Sequence, residues 1–509
     1  MPSAQRPTDA QNAERSQNRL NIRTDPLPEL CQLAAFDYDL VGSSIRDADV
    51  FGPSKREGSK MRTAISDLVT ERLRFPRYSK FCVFRAMFVC IFALSLHHAA
   101  LADADLKQYE TKYYTIYTDI SPDDEKEAAA RMTRMVEEYH ARTKDFSGTI
   151  KTRLPFYLFK SEKDYLAAGG PRGSVGVFKV DASGARLMGV AGEHLTRETW
   201  HVVQHEGFHQ FAHAVIGGKM PTWLNEGLAE YFGESIFTGD GFVTGIIPPW
   251  REQRLKDEIT NNQLKSFKQM MLVSPEQWRA EISILNYDQA WSMVHYFVAG
   301  DDGKYQAAFS QSIKGISSGK SFESAWLETL GPADDFEPRW KDWWMHQPQS
   351  PTRLLYLRAA VATVTSYVAR AYVARQTFST FDDFKAAVDT DALKNLPDNW
   401  LPPRLIKDTI RLYGDLPNWQ INTVANQQPI VSLTLFDGTR ATGTFILRGT
   451  TIERVNVDID DLAKVLKEAR VLLDAGQKDQ ARKLVGDSLK EHLQSPQAMD
   501  AKQFLQEIH

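Results

Sequence analysis

The stretch Gln204-His205-Glu206-Gly207-Phe208-His209 carries two histidines four residues apart, with a glutamate directly after the first. On a helix, residues four apart share one face, one turn up. Two imidazoles there can converge on one zinc ion, each nitrogen at about 2.0–2.1 Å. Glu206, beside the first ligand, is positioned to take a proton from water at the ion's open position and pass it to a leaving amine. A catalytic zinc needs a third protein ligand and a free fourth place. Glu226 stands seventeen residues after His209, within Trp223-Leu224-Asn225-Glu226-Gly227-Leu228-Ala229-Glu230-Tyr231-Phe232. From a facing helix it can supply that ligand through a carboxylate oxygen. Glu230, one turn further, is placed to accept the free ring N–H of a ligand histidine, His205 first, and so fix its tautomer. His201 and His213 extend the histidine ladder by one turn each way. Only the central pair brackets a glutamate, so the outer two are read as packing or supporting residues. Gly207 sits inside a helix, where glycine costs about 1 kcal/mol against alanine. It is read as room for the close approach of the second helix.

These side chains need elements to hold them. Residues 113–118 have strand composition. Ser121-Pro122 opens a helix through about Thr143, with Asp123, Asp124 and Glu125 in its first turn. Residues 154–159 read as a second strand, and 174–180 with 185–191 as a hairpin. Thr196 caps a helix over 197–216, closed by Gly217-Gly218 and then Pro221. A further helix runs from Thr222 to about Ser235, and helices dominate to about Met345. The expected fold class is α+β. In the C-terminal third, 352–375 reads as a long amphipathic helix, and Pro402-Pro403 opens a shorter one. Residues 430–436 and 439–447 form a hairpin about Asp437-Gly438, expected as a type I′ turn, with 451–457 as a third strand. Helices over 462–475 and 480–493 flank Gly476, and 497–508 forms the last. The pair is similar to a tetratricopeptide (TPR) unit, with small residues at Ala469, Ala475 and Ala481.

Composition narrows the class. The chain has 509 residues, 42% apolar and 25% charged, enough to bury more than one core. Its 61 Lys+Arg against 65 Asp+Glu leave a formal charge of −4, which argues against nucleic acid as a partner. The three cysteines, Cys31, Cys82 and Cys90, lie far upstream of the histidines, so His, Asp or Glu must hold any metal. Residues 1–60 are polar and aperiodic, read as a disordered tail or as sequence upstream of a true start at Met61 or Met87. Basic residues from Arg72 to Arg85 then precede an apolar run over 86–96, followed by Ala100-Leu101-Ala102 and Ala102-Asp103-Ala104. Together they make a signal peptide over 61–104. The apolar run is far shorter than the roughly 20 residues of a span. The expected location is therefore periplasmic or secreted, with no stable membrane span after cleavage.

The paired motifs resemble the gluzincin metallopeptidases, in particular the peptidase MA-like group. Members carry HExxH followed by a W-L-x-E-G-x-A-E-Y-F-like helix. The resemblance implies a zincin-like domain over 105–348, a small mixed sheet plus helices. A helical region over 349–425 and a hairpin with TPR-like helices over 426–509 follow. It implies Zn2+ on His205, His209 and Glu226, with Glu206 as base and Glu230 in support. In that superfamily an antiparallel edge strand before the HExxH helix pairs with the substrate backbone. Residues 185–191 are the candidate here, with Gly189, Val190 and Ala191 against substrate. Gluzincins also place a downstream Tyr or His on the oxyanion. Tyr287 is the first choice, ahead of Tyr231 and His295. The expected function is an exported zinc metallopeptidase acting on peptides or proteins. The alternative is a peptidase-like module that keeps zinc, does not cleave, and docks a protein partner, with the C-terminal helices as the docking surface. A non-peptidase zinc hydrolase is a third reading. The intact Glu206 favours an enzyme, since binding alone requires no acid beside the ligand.

Overall fold

A computed structural model describes residues 106–508, apart from 183, 218–219, 394–400 and 425–426. The expected tail and signal segment lie outside the described residues. The architecture is α+β, as expected.

The first unit opens with strands β1 (Lys107–Glu110) and β2 (Tyr114–Thr118). Helix α1 (Pro122–Thr143) follows, and the Ser121 hydroxyl accepts from the Asp124 N–H to cap it. Strand β3 (Leu154–Phe159) and the short helix α2 (Glu162–Ala167) lead to a hairpin of β4 (Gly176–Asp181) and β5 (Gly184–Val190). The sheet order is β1-β2-β3-β5-β4. β2, β3 and β5 run parallel, while β1 and β4 are antiparallel to their neighbours. β5 is thus paired on both sides, and of the hairpin's two strands it is β4 that lies at an edge of the sheet. This corrects the assignment of Gly189, Val190 and Ala191 to a substrate-pairing edge: Gly189 and Val190 bond to strands on either side, and the Ala191 N–H donates to the Phe159 carbonyl.

Helix α3 (Arg197–Val215) is capped by Thr196, whose hydroxyl accepts from the Thr199 N–H. Its stripe of Trp200, Val203, Phe208 and Phe211 is buried in one core with Tyr139 of α1 and Phe156 and Leu187 of the sheet. Each such side chain contributes about 1.5–3 kcal/mol. The Tyr139 hydroxyl donates to the Gln204 carbonyl at 2.5 Å, fixing α1 on α3. A Cβ at Gly207 would meet Met132 and Tyr139, so this glycine makes room for α1 rather than for the second helix.

Helix α4 (Thr222–Gly233) leads through the two-residue strands β6 (Ile236–Phe237) and β7 (Phe242–Val243) to α5 (Pro249–Thr260) and α6 (Ile284–Gly303). The Gln204 amide donates to the carbonyls of Phe232, Gly233 and Ser235, satisfying the end of α4 and stapling it to α3. Gly227 lets α4 press on α6: a Cβ there would lie 2.4 Å from the Ala290 carbonyl oxygen. Helices over 306–317, 322–329 and 337–345 close this core with Trp326, Phe336, Trp340 and Trp344.

Helix α7 (Arg353–Val373) differs from the amphipathic expectation. It is buried at nearly every position from Tyr356 to Ala371. Strands β9 (Ile430–Thr434), β10 (Arg440–Arg448) and β11 (Thr451–Asp460) pack on it, as do α8 (Pro403–Tyr413), β6 and β7. β8 (Trp419–Asn422) completes that four-stranded antiparallel sheet. The boundary drawn at 425/426 therefore runs through a single core, shared by α7, α8 and these strands. At the β9–β10 turn only Gly438 has positive φ, +98°, and its N–H donates to the Leu435 carbonyl. A type I′ turn needs positive φ at both central residues, so the turn differs from the expected one. Helices α9 (Leu462–Asp474), α10 (Lys478–Glu491) and α11 (Ala498–Glu507) form a third core of their own. Among the described residues, no helix is long and apolar enough to cross a membrane.

Candidate metal centre

The i, i+4 spacing on α3 brings the rings of His205 and His209 together, with their Nε2 atoms 3.1 Å apart. From α4, Glu226 Oε2 lies 3.3 Å from His205 Nε2 and 3.5 Å from His209 Nε2. Donors at about 2.0–2.1 Å from a tetrahedral zinc stand about 3.3–3.4 Å apart. The three distances bracket that value, so the donor set fits one such ion. Residues 200–322 match a family described as "Protein of unknown function (DUF1570)". The matched stretch holds every residue of this centre. No curated protein matches the chain.

Burial and mutual charge shift the same three groups. Burial lowers the pKa of His205, but hydrogen bonds to Glu226 and Glu230 outweigh it and raise the value well above the ordinary range. His209 is likewise lowered by burial and raised on balance, chiefly by Glu226. Burial pushes Glu226 up, yet the two imidazoles pull it down to about 2. The three groups form a cluster that could hold a metal ion, and an ion bound there would compete with protons for the imidazoles.

His205 is oriented from behind. Its Nδ1 lies 3.1 Å from Glu230 Oε1, the contact expected from the spacing on α4. Sequence reasoning missed what lies behind Glu230. Arg251 on α5 donates to Glu230 and Glu234, and also to Asp288 on α6. Burial raises the Glu230 pKa, but Arg251 and His205 hold it well below the ordinary carboxylate range. No motif marks Arg251; it is one basic residue in a polar helix.

Glu206 accepts a hydrogen bond from the Phe178 N–H at 2.7 Å. The Val190 N–H donates to the Val175 carbonyl, so the alternation of an antiparallel pair turns the backbone groups of Gly176, Phe178 and Val180 to the open edge. Glu206 thus holds the Phe178 N–H on the outer edge of β4, and the Ser174 hydroxyl bridges the outward N–H and carbonyl of Gly176. Of the three oxyanion candidates, Tyr287 lies at the His205–His209–Glu226 cluster. Its ring centroid is 6.3 Å from that of His205, and burial and then Glu226 raise its pKa. His295 is walled in by Tyr231, Trp291 and Trp344, and Tyr231 packs on it and on Phe232. His201 lines a cavity of about 570 Å³ with Trp200, Phe237 and Tyr356; none of the three metal donors lines it. His213 is exposed and packs on Phe178.

Proposed function

We propose that the chain is an exported zinc metallopeptidase of the gluzincin type. The observation that carries this reading is the 3.1–3.5 Å triangle of His205, His209 and Glu226 donors, with a glutamate beside it and an open strand edge alongside. A zinc ion held by His205, His209 and Glu226 would supply a Lewis acid for the scissile carbonyl and would lower the pKa of water to about 7.

The chain's own residues do the rest. The Phe178 carbonyl and the outward backbone groups of Val180, beyond those that Ser174 and Glu206 hold, pair with an extended peptide and lay its scissile bond across the cluster. Glu206, held beside that edge by Phe178, takes the proton of the attacking water and delivers it to the departing amine. Tyr287 stays protonated through the neutral range and donates to the developing oxyanion. Glu230 accepts the Nδ1–H of His205, which keeps the Nε2 lone pair turned into the cluster. Export rests on the basic and apolar run before residue 104.

The test is cleavage of an unbiased peptide library by the wild type, the chelated protein and Glu206→Gln. Cleavage that needs both zinc and Glu206 supports the proposal. Zinc binding with no cleavage points instead to a binding module, and cleavage undiminished in Glu206→Gln removes the proposed base.

A further inference from the structure

This inference rests on reading His205, His209 and Glu226 as metal ligands. Behind them lies a second layer of charge that the chemistry itself does not require. Arg251 is almost wholly buried, with 3% of its side chain exposed. One of its terminal nitrogens donates to Glu230 at 2.7 Å and to Glu234 at 3.0 Å. Its Nε donates to Asp288 at 2.8 Å, and the guanidinium lies 4.4 Å over the Trp291 ring. The other oxygen of Glu230 is the one facing His205. Asp288 follows Tyr287 in the first turns of α6. One planar cation thus joins the helix bearing Tyr287 to the orientation of a metal ligand.

The same spot has the makings of a second metal site. Donor atoms of His201, Glu230 and Glu234 all lie within 4.8 Å of one another. The partner of the two carboxylates in the fold, however, is the Arg251 guanidinium. A fixed cation with several directed donors satisfies both carboxylates and needs no free ion.

We propose that Arg251 is a positioning residue that locks Glu230 against His205, ties that pair to the turn carrying Tyr287, and fills with a tethered cation the place a second metal would take.

Zinc affinity and stoichiometry of the full chain test this, by chelator competition and elemental analysis. The variants are Arg251→Met, Arg251→Lys, Asp288→Asn and Glu226→Ala, with circular dichroism and tryptophan fluorescence reporting folding. The wild type is expected to hold one zinc. Arg251→Met should bind that zinc about 10–100-fold more weakly, the usual effect of losing a ligand's supporting partner, and should take up a second zinc at excess metal. Arg251→Lys keeps the charge without the fork; it should fall between the two and stay at one zinc. A purely structural role predicts neither the second zinc nor the rescue by lysine. Should Arg251→Met not fold, a loss of about tenfold in Arg251→Lys and Asp288→Asn supports the assignment. A folded Arg251→Met with wild-type affinity and one zinc overturns it, as do, where Arg251→Met does not fold, Arg251→Lys and Asp288→Asn both at wild-type affinity. A wild type without zinc, or one whose zinc affinity survives Glu226→Ala, sinks the ligand reading instead.

Discussion

Gly227→Ala tests how tightly the metal centre is tied to helix packing. The added Cβ would stand 2.4 Å from the Ala290 carbonyl oxygen and 2.8 Å from a Val294 methyl, while ordinary contact begins near 3.4 Å. The obstacle is the backbone of α6, so α4 and α6 must part by about 1 Å. Glu226 is the adjacent residue and moves with α4. Metal bonds tolerate about 0.2 Å, and the donor spacing of 3.1–3.5 Å leaves no slack for such a shift. Overpacking of this kind costs about 1–3 kcal/mol, partly offset by the better helix propensity of alanine. For a unit of this size, thermal melting should fall by about 3–10 °C. Zinc affinity should drop at least about tenfold, as for other losses of ligand alignment. Gly207→Ala is the control. Its Cβ meets the end of the flexible Met132 side chain at 3.2 Å and the Tyr139 hydroxyl at 3.3 Å, so its cost should stay within about 1 kcal/mol. Calorimetry of the metal-free proteins and chelator competition read both effects. A Gly227→Ala protein that melts with the wild type and keeps its zinc affinity would refute the reasoning.

Two further outcomes are expected. His295 is buried, and burial, then Arg251, lowers its pKa to about 3. The unfolded chain protonates it near pH 6.5 and the folded chain does not, so its contribution is present above that pH and lost as pH falls toward 3. The loss is about 2 kcal/mol by pH 5, and His295→Gln should flatten that part of the acid limb in denaturant titrations; an unchanged limb contradicts this. Tyr287→Phe should leave zinc affinity intact and lower kcat by about 10²–10³ with little change in KM; steady-state kinetics on a cleaved peptide decide it, and an unaltered kcat excludes Tyr287 from the oxyanion.

The candidate metal donors were legible because much of their geometry is local. Four residues on a helix fix the relation of His205 to His209, and the same spacing on α4 relates Glu226 to Glu230. Thr196, Ser121 and the glycine at 476 marked helix ends for the same reason. The open edge of the hairpin was not legible, because which of its strands lies outermost depends on pairing with β3, whose partner residues lie 31 positions upstream of those in β5. Gly207 and Gly227 look alike in sequence, yet one makes room for α1 and the other for α6. Arg251 was invisible because its meaning comes from acids on α4 and α6 that only tertiary packing gathers. The burial of α7 likewise follows from a sheet drawn from residues 419–460, which no local pattern in α7 announces.

Zinc-edge X-ray absorption on the freshly purified full chain tests the central claim most directly. The account predicts one zinc with two imidazole nitrogens and light oxygen donors at about 2.0–2.1 Å, and a first shell that changes in Glu226→Ala. A folded chain that binds no zinc, or one whose zinc spectrum is identical in Glu226→Ala, would contradict it.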